Sequence, residues 1–172
     1  MASKRGKQTV RGMFLSMAVA TGAAGLVYIF VPHDENANPV KPIDYRVELL
    51  TARRAAPYPV AAPDGLDKGW KPTSVSYDRK DGNSWHLGFL DPEGKYVAVE
   101  QSTSPAKKYV TEVSQDARDT GRTQQVAGEA WQHWKGDKYD ALVRHDKGAT
   151  TVVTGSASTE RLAEMAAALK SS

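Results

Sequence analysis

SVSYDRKDGNSWHLGFLDPEGKYVAV, residues 74–99, decides the fold. Val75 and Tyr77 alternate with Ser74, Ser76 and Asp78, the period-two pattern of a half-buried strand. Asp81-Gly82-Asn83 supplies a turn, after which Trp85, Leu87 and Phe89 resume the alternation. Asp91-Pro92-Glu93-Gly94 signals a second turn, and Tyr96, Val97 and Val99 lead a third strand. Both turns are too short for a crossover, so the three strands form an antiparallel meander. His86 falls out of phase with Trp85 and Leu87, which predicts that it faces solvent.

Downstream, Ser104-Pro105 reads as a helix start, with Ser as N-cap and Pro at the first helical position. Tyr109, Val110, Val113 and Ala117 fall on one helical face, and Gly121 closes the segment. Strands are expected at 123–127, 129–135, 139–145 and 150–154, separated by glycine-bearing turns. Ser158 caps a final helix whose stripe is Leu162, Met165 and Leu169, with Glu160 in its first turn and Lys170 in its last. Upstream, residues 44–56 permit a short strand running into a helix that Pro57 ends, followed by an extended piece at Pro59–Ala61. Residues 44–172 therefore read as an α+β domain. Its sheet is mostly antiparallel with six or seven strands, and two or three helices pack on one face.

The N-terminal part reads differently. MFLSMAVATGAAGLVYIFV, residues 13–31, carries no charge. Nineteen helical residues at about 1.5 Å each span roughly 28 Å, close to a hydrocarbon core of about 30 Å. Met13, Phe14 and Leu15 open this stretch, and Leu26, Val27, Tyr28, Ile29, Phe30 and Val31 close it. Lys4, Arg5, Lys7 and Arg11 precede it, whereas His33, Asp34 and Glu35 follow, so the positive-inside bias keeps residues 1–12 in the cytoplasm. A cleaved signal peptide usually has a shorter apolar run with a small-residue site at its end, whereas Ala18-Val19-Ala20 lies deep inside this one. A buried core helix has no need of such a charge-free length. The expectation is a signal anchor at 13–31, a Pro-rich linker at 32–43 and an extracytoplasmic domain on the cell membrane, with the lipid bilayer as first partner.

Composition narrows the function. Of 172 residues 40% are apolar and none is cysteine, which removes disulfide frameworks, thiolate metal sites and cysteine nucleophiles. The net charge of +3 belongs to the tail: past residue 12, 19 basic side chains face all 20 acidic ones. A nucleic-acid binder carries its basic excess on the folded domain, so no nucleic-acid partner is expected.

Three strings carry a resemblance: GWKPTSVSYDRKDGNSWHLGFLDPEGKYVAVEQS (69–102), VAGEAWQHW (126–134) and TTVVTGSASTERLAEMAAALKSS (150–172). Together with PVAAPDGLDKGW at 59–70 they resemble an actinobacterial family of membrane-anchored proteins catalogued as domain of unknown function 4245. The resemblance implies an N-terminal signal anchor and an exported domain, and carries over no catalytic residues.

Candidate chemistry is sparse. His33, His86, His133 and His145 show no helical zinc spacing, and no cofactor is expected. Ser104-Pro105-Ala106-Lys107 matches S-x-x-K, in which lysine deprotonates a serine nucleophile, but its companion motifs are missing and helix capping already explains Ser104. Asp78–Asn83 places two basic residues where a calcium loop needs oxygen ligands. Trp131 and Trp134, three apart on a strand, point to opposite faces, so one of them is a candidate exposed binding residue. The favoured expectation is a non-catalytic envelope module that binds a protein or a glycan. The alternative is an envelope hydrolase using Ser104/Lys107 or a carboxylate site.

Overall fold

The computed structural model describes residues 12–23, 41–146 and 148–171. The chain divides into two units, Met1–Asn38 and Pro39–Ser172. In the first, residues 12–23 form helix α1, which includes Met13, Phe14 and Leu15 with their side chains exposed. The rest of the expected span (residues 24–31), the linker as far as residue 40 and the charges Lys4, Arg5, Lys7 and Arg11 lie outside the described residues. Among the described residues no helix is long and apolar enough to cross a membrane.

The second unit is an α+β domain. Helix α2 (Arg46–Ala55) and strand β1 (Ala61–Pro63) precede the meander β2 (Lys71–Asp78), β3 (Ser84–Leu90) and β4 (Tyr96–Ser102). Helix α3 (Ala106–Val113) leads into a second meander: β5 (Arg118–Val126), β6 (Glu129–Lys135), β7 (Asp140–Asp146) and β8 (Ala149–Gly155). Helix α4 (Thr159–Ala168) and β9 (Leu169–Ser171) end the domain. Seven strands form one antiparallel sheet in the order β2-β3-β4-β8-β7-β6-β5, and β1 pairs with β9 apart from it.

Local chemistry explains the first meander. Gly82 and Asn83 both have positive φ, at 56° and 50°, which glycine and asparagine tolerate best. At the next turn the Asp91 carboxylate accepts the backbone N–H groups of Glu93 and Lys95 at 2.9 and 2.7 Å. The meanders then join edge to edge, Val99 opposite Val153 and Glu100 opposite Val152, making β4 and β8 the sheet's interior.

Both faces of this sheet are covered, which corrects the expectation of helices on one face. Trp85, Leu87, Phe89, Val97, Val99 and Val153 pack in one core with residues of α2 and α4. Tyr109 and Val110 of α3 pack on the opposite face with Trp134, Ala141, Val143 and Val152. Strand β8 is accordingly buried at every position, as expected of a strand sandwiched between layers.

Several boundaries move. Residues 46–55 form helix from the start, with no strand before them; the Asp44 carboxylate accepts the Arg46 N–H at 3.0 Å. Helix α3 stops at Val113, because Gln115 and Asp116 turn the chain through positive φ. Gly121 lies inside β5, where the register with β6 shifts between Asp119 and Arg122. Ala117 stays in the α3 core although it is no longer helical. The N-cap of α3 is Pro105, not Ser104, whose own N–H bonds the Ser102 hydroxyl at 3.0 Å. Ser158 does cap α4, but Leu169 and Lys170 leave the helix for β9 and pair with Pro63 and Ala62.

Candidate functional site

The pairing of β3 with β4 sets His86 opposite Glu100 on the face that α3 partly covers. Glu100 is only 9% exposed, and a buried carboxylate needs a partner. His86 Nδ1 lies 2.6 Å from Glu100 Oε1, and His86 Nε2 lies 2.8 Å from Ser74 Oγ. In the neutral ring, Nδ1–H donates to Glu100 and leaves Nε2 to accept the Ser74 hydroxyl; in the imidazolium both nitrogens donate. The hydrogen bond to Glu100 raises the His86 pKa above its usual value, while burial also raises that of Glu100. The pair therefore keeps a proton more firmly than either side chain alone. His86, expected in solvent, is half-buried because its face is not bare.

Ser74 reaches the ring through a register shift between Pro72 and Ser74, which sets Ser74 opposite Gly88 and Ser76 opposite His86. A Cβ at Gly88 would overlap the Ser74 hydroxyl and lie 2.9 Å from that of Tyr96, so both side chains would have to shift to admit one. Burial pushes the Tyr96 phenol up to about 12, and its ring packs 5.9 Å from that of Tyr139.

On the α3 side of the pair lies a cavity of about 230 Å³, lined by His86, Glu100, Ser104, Lys108, Tyr109 and Glu112 among others. The Tyr109 hydroxyl is buried beside Glu100, where its interaction with that carboxylate opposes the rise that burial gives Glu100, and burial raises its own pKa far above the usual phenol range. The site thus offers a hydrogen-bonded histidine–carboxylate pair with a phenol beside it and Lys108 in the cavity lining.

The residues singled out from the sequence fare differently. Trp131 and Trp134 do point to opposite faces, but both are buried, at 1% and 8% exposure, because each face has its own helical cover. Arg144 stacks its guanidinium 4.9 Å above the Trp131 ring. The expected exposed tryptophan is therefore absent from this pair. Ser104 lines the cavity, whereas Lys107 is exposed and lines a different surface hollow, so the S-x-x-K residues are not brought together there. Among the described residues no group of three or more His, Asp or Glu side chains could hold a metal ion.

Ser74, His86 and Glu100 escaped the sequence reading as a set. One signal was present: Glu100 is the single acid in YVAVEQS, and an acid within an apolar strand is seldom buried unpaired.

A family model described as "Protein of unknown function (DUF4245)" matches residues 5–169. No curated protein matches the chain.

Proposed function

The chain belongs to the DUF4245 family, and from that premise we propose that it is a single-pass membrane protein whose α+β domain stands outside the membrane and binds an envelope partner through the α3 cleft. Support for the anchor is the uncharged run at 13–31 behind Lys4, Arg5, Lys7 and Arg11. The observation that carries the binding reading is the polar cavity beside the His86–Glu100 pair, with Lys108 and the buried Tyr109 in its lining. A cavity of about 230 Å³ is smaller than a typical drug-sized ligand pocket, so it suits one polar group of a larger partner, such as a single sugar of a glycan. The test is thermal unfolding of the detergent-solubilised full chain with envelope monosaccharides and short glycans. One class should raise the melting temperature, and Tyr109→Phe should abolish that rise while keeping the fold. No rise with any saccharide contradicts the reading.

A second reading, an envelope hydrolase, is favoured by the Ser74–His86–Glu100 chain. It has the order of a serine hydrolase relay, with Nε2 toward the hydroxyl and Nδ1 toward the carboxylate. Ser74 Oγ would attack an ester carbonyl as Nε2 takes its proton, and His86 would return that proton to the leaving alcohol; water would then release the acyl group. Incubation with a fluorophosphonate decides it. An adduct on Ser74 that His86→Gln suppresses supports hydrolysis, and an unlabelled Ser74 removes it.

A further inference from the structure

The domain exposes two large apolar side chains among its described residues, Val47 at 74% and Leu50 at 54%, and both belong to α2. With Arg54 they recur at helical spacing on one face. The helix cannot roll to hide them. Ala52 is fully buried in the core on the other side, with Tyr45 and Leu49 packed against that core. Arginines at 46, 53 and 54 outnumber the single acid of the helix, Glu48, and Arg46 and Arg54 are exposed. An apolar stripe flanked by arginines is the composition of a helix that rests in a lipid headgroup layer.

Chain connectivity selects the occupant. Only fourteen residues separate Val31 from Arg46. A fully extended segment of that length reaches at most about 50 Å, so α2, the first element of the domain in sequence, is tethered within that distance of the end of the expected anchor.

We infer that α2 docks on the outer leaflet of the membrane, Val47 and Leu50 entering the interfacial layer and Arg46 and Arg54 meeting anionic phosphate groups. This rests on the anchor reading above and adds a second membrane contact to it. The charge complementarity specifies anionic lipid, since an apolar stripe alone would not discriminate between headgroups.

The chain has no cysteine, so one introduced thiol is a unique label. Full-length protein carrying a bimane fluorophore at Val47→Cys, Leu50→Cys or, as control, Lys80→Cys in the β2–β3 turn is reconstituted into vesicles of phosphatidylcholine and phosphatidylglycerol. The vesicles also contain lipids with a nitroxide near the headgroup. Positions 47 and 50 should be quenched several-fold more than position 80, and the difference should shrink with phosphatidylcholine alone or with Arg46→Glu plus Arg54→Glu. Flotation with the vesicles but equal quenching at 47, 50 and 80 overturns the docking and leaves the anchor standing. Failure to float overturns both. Excimer emission from pyrene at position 47 in detergent, with no lipid quenching, assigns the stripe to a second copy and likewise overturns it.

Discussion

His86 and Glu100 face each other across β3 and β4 with Nδ1 2.6 Å from Oε1, so the buried Glu100 carboxylate is hydrogen-bonded by its direct cross-strand neighbour. Taking a carboxylate out of water costs several kcal/mol, and here one ring both supplies the compensating donor and lines the cavity.

Removing only the histidine should therefore harm more than removing both partners. His86→Leu leaves Glu100 buried and unpaired and should lose about 1.5–3 kcal/mol in urea unfolding. Combining it with Glu100→Leu should restore much of that loss, as apolar replacement of a buried pair often does. Equal losses in the single and double variants would show that the pair is not coupled.

The same pair predicts a direction for pH dependence. The folded-state pKa of His86 is raised, so its contribution is fully present below the unfolded value near 6.5 and is lost as pH rises through the raised value. Glu100 is raised too, and acts in the same sense from lower pH, because the folded state again binds the extra proton. Denaturation midpoints measured from mildly acidic to mildly alkaline conditions should fall, and His86→Gln should flatten the slope above pH 6.5. A midpoint that climbs with pH over that range contradicts the assignment.

Tyr109 should act on stability through Glu100. Its hydroxyl interacts with the buried Glu100 carboxylate and opposes the pKa rise caused by burial, so Tyr109→Phe should destabilise the domain by about 1 kcal/mol. Unchanged or increased stability in urea unfolding would show that the hydroxyl does nothing to hold the buried carboxylate.

Trp131 should be structural. It is 1% exposed, and Trp131→Ala should cost about 3–5 kcal/mol, comparable with Leu162→Ala at the α4 contact. Near-wild-type urea unfolding of Trp131→Ala would restore the idea of a surface binding tryptophan.

What could be read in the chain was local. Asp81-Gly82-Asn83 and Asp91-Pro92-Glu93-Gly94 announce their turns by residue chemistry alone, and period-two alternation places Trp131 and Trp134 on opposite faces. Whether each face is covered depends on where α3 lands after its loop, which no periodicity records; hence the mistaken exposure of His86 and of one tryptophan. Ala117 shows the same limit in miniature, since its spacing from Val113 is helical but the chain has already turned at Gln115 and Asp116. Ser74 meets His86 through a register shift near Pro72, a long-range feature of strand pairing.

Thiol accessibility in intact cells is the most direct test of the membrane topology on which the functional reading stands. In separate single-cysteine variants, Lys80→Cys in the domain and Ser3→Cys in the basic tail are exposed to a membrane-impermeant maleimide. Position 80 should label rapidly in whole cells, and position 3 only after lysis. Protection of position 80 until the cells are broken would place the domain inside and contradict that topology.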